Sequence, residues 1–415
     1  MSNSLLTNDI ICNEALMMLE NEMVTSQLVH RGYEEEFEKN VNGYKRGDTI
    51  SIAKPLKYVV REGEIMVAQQ SQEGKVSITL DKFRGVDLGF TETDRSLKID
   101  RFAERFLKPA VSVLANHVDL AVAALYKDVF NWAGTPGQTV NSYADFLKGP
   151  TLLDDRAVPM QDRRGILTPT DHAGLLSTFS GLFINDVAKT ALEKAKLPML
   201  GDVELYKTQN VRKHTVGVAT GTPRVNGANQ VSTWENVKNT DSQTLNTDGW
   251  TNSTTGILKQ GDVLTIANVY CVNPVSKEVL PDLQQFVVKA DADSGASTGP
   301  SALTISPAII ITGAYQNVNA APADDALITV VGTGGAIYPQ NMIFRKEAFA
   351  LCVKPLEKPA GAVNPEVMTD DKTGLSLRLI PVYDGINNVS NWRLDILFGV
   401  KAIYPELATR LSGTS

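Results

Sequence analysis

Between about residues 216 and 338 the sequence changes character. Helix-forming residues fade, and Thr, Asn, Gly, Val and Ile dominate short runs such as DVLTIANVYCV, LQQFVVKA, SALTISPAIII and DALITVVG. Period-two runs separated by Gly, Asn and Asp turns specify strands, so this stretch predicts a small all-β domain, sandwich or barrel. Mixed helix and strand patterns stand on both sides of it. A β-domain bracketed in this way is an insertion, and both flanking halves are needed to close the α+β host.

The residues before it supply the host. MSNSLLTNDIICNEALMML reads as a short amphipathic helix in an N-terminal arm that ends in the acidic run Glu34-Glu35-Glu36-Phe37-Glu38, a solvated face. From 48 to 92 the period becomes two, in DTISIAKPLKYVV and KVSITLDKFRGVDLGF around a polar middle. That predicts a long β-hairpin with little core of its own. Pro109 then opens a helix of about 23 residues, since proline suits a first helical turn and breaks an interior. Val111, Leu114, Val118, Ala121, Leu125 and Val129 form one apolar stripe on it, and Val113, His117, Leu120 and Ala124 a second. Two stripes predict burial on most of the circumference, with His117 inside. Further on, RRGILTPTDHAGLLSTF gives strand, turn and helix with Thr170 or Asp171 as cap, and Leu182 to Leu197 a further helix. GLSLRLIPVYD and NWRLDILFGVKAIYP close the chain as strands.

Totals narrow the function. A chain of 415 residues is expected to hold two or three domains. Its 40 basic against 47 acidic side chains, a net charge of -7, argue against a protein that lives by gripping phosphate backbones. Cys12, Cys271 and Cys352 are too far apart for a CxxC motif and odd in number for a disulfide framework, which fits a reducing cytoplasm. The N-terminus lacks the basic flank of a signal peptide, and no apolar run approaches the roughly 20 residues of a membrane span, so no membrane partner is expected.

Catalytic and metal patterns are weak. His30, His117, His172 and His214 lie in different segments with no HExxH or HxH spacing. Asp171, His172 and Ser177 offer triad residue types, but on one helix start Asp171 and His172 cannot both face Ser177. GTGG at 332–335 lacks the Lys-Ser/Thr of a phosphate loop and reads as a turn, and DADSG at 291–295 lacks a calcium loop's closing carboxylate. Arg101, Arg105 and Lys108 share a face with Asp100 and Glu104, which reads as a salt-bridged surface. No catalytic residue, cofactor or metal is therefore expected. A hydrolase with an appended β-domain, or a tail or decoration protein of a virion, are the rival readings.

One octapeptide pattern occurs twice. GYKRGDTISI at 43–52 and ILKQGDVLTI at 257–266 each place Gly-Asp before an alternating run, which reads as a turn that opens a strand; Arg46-Gly47-Asp48 is then no adhesion motif. The second copy continues through Tyr270, Asn273 and Pro274, and that stretch strongly resembles the insertion domain of major capsid proteins of P22-type tailed phages. ILTPTDHAGLL and LDILFGVKAIYPELATRL resemble other segments of the same family, in the same order. The resemblance implies the Hong Kong ninety-seven capsid fold, with an extended loop, a spine helix and an axial domain, carrying an inserted all-β barrel. Its implied layout is an arm at 1–38, an extended loop at 39–97, a peripheral domain at 98–149, axial segments at 150–215 and 339–372, the inserted barrel at 216–338 and closing strands with a tail at 373–415. It also implies the partners: copies of itself in hexamers and pentamers, scaffolding protein, portal, a decoration protein, and double-stranded DNA enclosed without sequence-specific binding. The location implied is the virion, after assembly in a bacterial cytoplasm. The polar loop KNTDSQTLNTDGWTNSTTG holds the position from which relatives reach an adjacent capsomer, so Lys238, Asp241, Asp248 and Trp250 are the expected intersubunit contacts.

Overall fold

The computed structural model describes residues 8–33, 47–61, 63–66, 73–91, 106–178, 199–359, 361, 364–369, 375–385 and 389–414. The acidic run Glu34 to Glu38, Arg101 and Arg105, and the helix expected at 182–197 lie outside the described residues. The chain divides into two compact units. One comprises Met1–Ser51, Ser77–Ala123 and Phe349–Lys401, and the other Ile52–Val76, Ala124–Ala348 and Ala402–Ser415. This division cuts the expected closing segment at 401/402 and the expected peripheral segment at 123/124.

In the first unit the helical periodicity becomes two packed helices, Asn8–Glu22 and Lys108–Ala123. Ile11, Cys12, Ala15 and Leu19 are buried on the first, and Val111, Leu114, Val118 and Val122 on the second. Buried Asp119 accepts hydrogen bonds from the amides of Val24 and Ser26, both at 2.9 Å, and so fixes the turn that follows the first helix. Only one of the two expected stripes is covered. Val113 is 52% exposed and His117 is exposed, which corrects the expected interior histidine. The helix is also shorter than its pattern, passing into a 3-10 turn at Ala124–Asp128 before Gly134. By length and hydropathy Lys108–Asp128 does match a membrane span, contrary to the sequence reading, but much of it is buried inside the protein, as in a core helix.

A sheet completes this unit, in the order Phe349–Lys354, Val389–Ala402, Ser376–Asp384, Glu366–Thr369. The expected hairpin divides here. Thr49–Ala53 pairs with Lys75–Thr79, whereas Lys82–Thr91 runs antiparallel to Val389–Ala402, with Val86 opposite Leu394. A ten-residue partner register with a long, half-buried strand offers more ladder bonds than the short arm could. At its centre Asp395 is fully buried between Arg378 and Arg393, each 2.7 Å away.

The second unit holds two large sheets and a two-stranded ribbon of Lys213–Thr215 with Ile337–Pro339. Val203–Lys207, Arg163–Leu167, Asn341–Arg345, Ala408–Leu411 and Trp132–Ala133 form a five-stranded mixed sheet, with Tyr143–Asp155 and Pro169–Ser177 as its helices. Thr168, rather than Thr170 or Asp171, caps the latter helix by accepting from the Asp171 amide. The second sheet has six strands, ordered Ile328–Val330, Val263–Val272, Val279–Val288, Ser301–Ser306, Gln243–Trp250, Gly221–Val225. A bridge between Arg224 and Leu327 joins its two ends, so the sheet closes as a barrel and leaves no free edge. Leu245, Leu264, Ile266, Phe286, Leu303 and Ile305 fill it, the inward residues of the alternating runs.

Candidate assembly site

The second Gly-Asp turn lies at a buried polar junction. Gly261 has φ +102, a conformation that glycine takes without strain, and this swings Asp262 into the interior at 2% exposure. Asp262 accepts from the amides of Lys259 at 2.7 Å and Gly217 at 3.0 Å, and its other oxygen lies 2.7 Å from His214 Nε2. His214 Nδ1 is 3.0 Å from Tyr126 Oη. The imidazole thus bridges the Asp262 carboxylate and the Tyr126 hydroxyl.

Arg410, fully buried, closes the junction from the C-terminal strand. Its guanidinium donates to Gly261 O and Val129 O, both at 2.7 Å, and to Gln340 Oε1 at 3.2 Å, and it lies over Tyr126 and Trp132. Burial pushes its pKa down to about 10 against the pull of Tyr126, Asp262 and Asp128. Barrel, host sheet and chain terminus are thereby joined through charged and polar groups whose partners must all be present together.

A second contact lies where the base of the expected extended loop meets the barrel. Trp234 and Tyr315 stack at 3.8 Å with their planes 4° apart, Lys54 Nζ lies 5.9 Å over the Trp234 ring, and Lys57 Nζ lies 5.8 Å over Tyr315. Backbone bonds add register: the Lys57 amide donates to Tyr315 Oη at 3.3 Å and the Lys75 amide to Asn239 Oδ1 at 3.2 Å. Gly74 allows this approach, because a Cβ there would stand 2.4 Å from Lys238 O. Beyond the clamp, Tyr58 is 61%, Val60 89%, Ile65 83% and Met66 81% exposed. Isolated exposed apolar residues are ordinary, but a cluster on one short segment marks a surface meant to be covered.

The four residues expected to reach a neighbour do not form one site. Their polar loop is largely ordered as the helix Trp234–Val237 and the strand Gln243–Trp250. Trp250 is corrected outright: it is 2% exposed in the barrel core and donates from Nε1 to Thr247 Oγ1 at 2.9 Å, because a large ring at an inward strand position is worth more buried than exposed. Asp248 is half-buried opposite Arg224 in the sheet register. Lys238 and Asp241 are half-buried, Lys238 beside Gly74 and Asp241 near Lys54 and Lys57 of their own chain. Asp241 has φ +48, and burial raises its pKa from 3.8 to about 6, with Lys54 opposing and Glu406 adding to the rise.

The residues considered for chemistry serve structure. Asp171 accepts from the Val140 amide at 2.9 Å and from Asn341 Nδ2 at 2.8 Å, while Ser177 Oγ donates to Gly174 O at 2.6 Å. Asp291 and Asp293 of the DADSG segment accept the amides of Gln260 and Gly256. No cluster of three metal-binding side chains occurs among the described residues.

Comparison with known proteins follows the same outline. The family model described as "P22 coat protein - gene protein 5" matches residues 38–413. A major capsid protein of Acyrthosiphon pisum secondary endosymbiont phage 1 is 22% identical over 384 residues, 88% of this chain and 89% of the relative. Among solved structures, a chain of Mycobacterium phage Che8 is 11% identical at a TM-score of 0.45, covering 94% of this chain and 90% of its own. The CUS-3 coat protein I-domain is 26% identical at a TM-score of 0.19, covering 27% of this chain and 96% of its own. With a family match across nearly its whole length, the chain belongs to the P22 coat protein family: it is a tailed-phage major capsid protein of α+β capsid fold, with a β-barrel inserted in its host domain.

Proposed function

We propose that the chain forms hexamers and pentamers of an icosahedral shell, assembled around scaffolding protein and a portal in the host cytoplasm, and that the finished shell encloses double-stranded DNA without reading its sequence. The exposed apolar face at Tyr58, Val60, Ile65 and Met66, held at its base by the barrel, is the observation that carries this reading. Residues 39–97 are the loop that overlaps a neighbouring subunit. Residues 98–149 and 373–415 serve as the peripheral region, and 150–215 with 339–372 as the axial region. The barrel at 216–338 sets the angle at which the loop leaves the subunit. Lys238 and Asp248 remain the contacts nearest a neighbouring capsomer, whereas Trp250 acts from inside the barrel. A net charge of -7 suits a wall that must not hold DNA tightly, and the role is structural, with no chemistry on the enclosed genome.

Expression with and without a scaffolding protein, followed by electron microscopy and light scattering, tests the assignment. Closed shells whose yield and uniformity rise with scaffold are the expected outcome. A strict monomer under both conditions would refute it.

A further inference from the structure

Arg156 differs from the buried Arg163 and Arg410, whose guanidiniums donate to backbone carbonyls of their own subunit. It is 8% exposed, yet its guanidinium makes no hydrogen bond and no ion pair among the described residues, only a cation–π contact at 5.8 Å from the Phe130 ring. Arg156 instead lines a cleft of about 690 Å³ between the helix Tyr143–Asp155 and the barrel strand Val279–Val288. Thr151, Thr265 and Gln285 also line this space, the Gln285 amide being held by the backbone of Trp132, and Lys148 stands at its rim. Asp155 and Asp282 also border it, but both are exposed and solvated, and neither pairs with the guanidinium.

We propose that Arg156 receives a carboxylate side chain presented by a second copy of this chain, which enters the cleft between the host helix and the inserted barrel. A guanidinium that makes no hydrogen bond or ion pair within the subunit keeps its fork of donors open, and a planar carboxylate is the group that fits that fork in a bidentate way. Burial lowers the Arg156 pKa, with Cys271, Asp282 and Asp155 opposing. Two acids and two bases around the cleft leave no surplus positive field for a phosphate polymer, so the wall of DNA is the wrong occupant. A second copy is the right one: the family to which the chain belongs assembles by self-contact, and its 47 acidic against 40 basic residues offer carboxylates in excess. This inference rests on the shell reading above.

The test compares the unassembled subunit with the assembled shell for Arg156→Met and Arg156→Lys. Arg156→Met should leave the subunit's thermal midpoint unchanged or raise it, while the shell dissociates at a lower denaturant concentration and its critical assembly concentration rises about tenfold or more, the size of one well-made charge-assisted contact. In Arg156→Lys shells, a carbodiimide should join the new amine to the facing carboxylate, giving dimer-sized products whose crosslinked peptide comes from two copies. Equal loss in subunit and shell would show a purely internal role and overturn the proposal, as would Arg156→Met shells that match wild type. An effect confined to DNA-filled shells would assign the site to phosphate and also overturn it. Wild-type chains that form no shell would instead refute the assembly reading itself.

Discussion

Replacing Asp241 by asparagine removes a carboxylate that the fold holds at a disadvantage. Its pKa is raised from 3.8 to about 6, chiefly by burial, and Lys54, Lys57 and Lys289 recover only part of that cost while Glu406 adds to it. For an acid whose folded pKa lies above its unfolded one, the folded chain binds the extra proton between the two values, so stability falls as pH rises from about 4 to about 6 and the full penalty persists above. At about 1.4 kcal/mol per pH unit the rise corresponds to about 3 kcal/mol, and partial solvent contact reduces this to about 1–2 kcal/mol. Asparagine keeps the shape, carries no charge and tolerates φ +48 at least as well as aspartate. Urea unfolding of the unassembled subunit should therefore show Asp241→Asn more stable than wild type by about 1–2 kcal/mol at pH 7.5 and nearly equal to it at pH 4. A variant that is less stable at pH 7.5, or a difference that does not change with pH, would refute the reasoning and place Asp241 in an ion pair that matters.

Three further outcomes follow from the same geometry. Arg410→Met should lower subunit stability by about 3–5 kcal/mol, since it strands Gly261 O, Val129 O and Gln340 in the interior, and calorimetry on the unassembled chain measures it. Trp234→Ala should free the base of the extended segment and speed tryptic cleavage after Lys57 severalfold while the far-ultraviolet circular dichroism stays near wild type; unchanged cleavage would mean the clamp does not hold the segment. Gly74→Val should act on the same contact through a clash with Lys238 O, and a variant that assembles like wild type would show the approach is not needed.

Much of the fold was written locally. Period-two runs gave the barrel strands, and their inward residues Leu245, Leu264 and Ile266 are the ones buried. Pro109 marked the start of the spine helix. Errors came where a partner distant in sequence decided the outcome. Lys82–Thr91 reads as a hairpin arm until Val389–Ala402 offers it a longer register. His117 sits on an apolar stripe, but that face stays uncovered within the subunit, so periodicity alone overstates its burial. The site was less legible. Trp250 lies in a run of polar residues and reads as loop; it falls out of step with the inward positions Leu245 and Thr247, and only the break at Gly249, with φ +73, turns its ring into the barrel. Lys54 and Trp234 meet across 180 positions, and Arg156 shows its lack of a partner only once the cleft is built; neither has any local mark.

The most direct test of the account is an electron-microscopic reconstruction of shells made from this chain with its scaffolding protein. Closed icosahedral shells are expected in which Tyr58, Val60, Ile65 and Met66 are covered by a neighbouring copy and Lys54 still stacks on Trp234 of its own subunit. Open aggregates or free monomers would contradict it, as would shells whose Tyr58 to Met66 face remains in solvent.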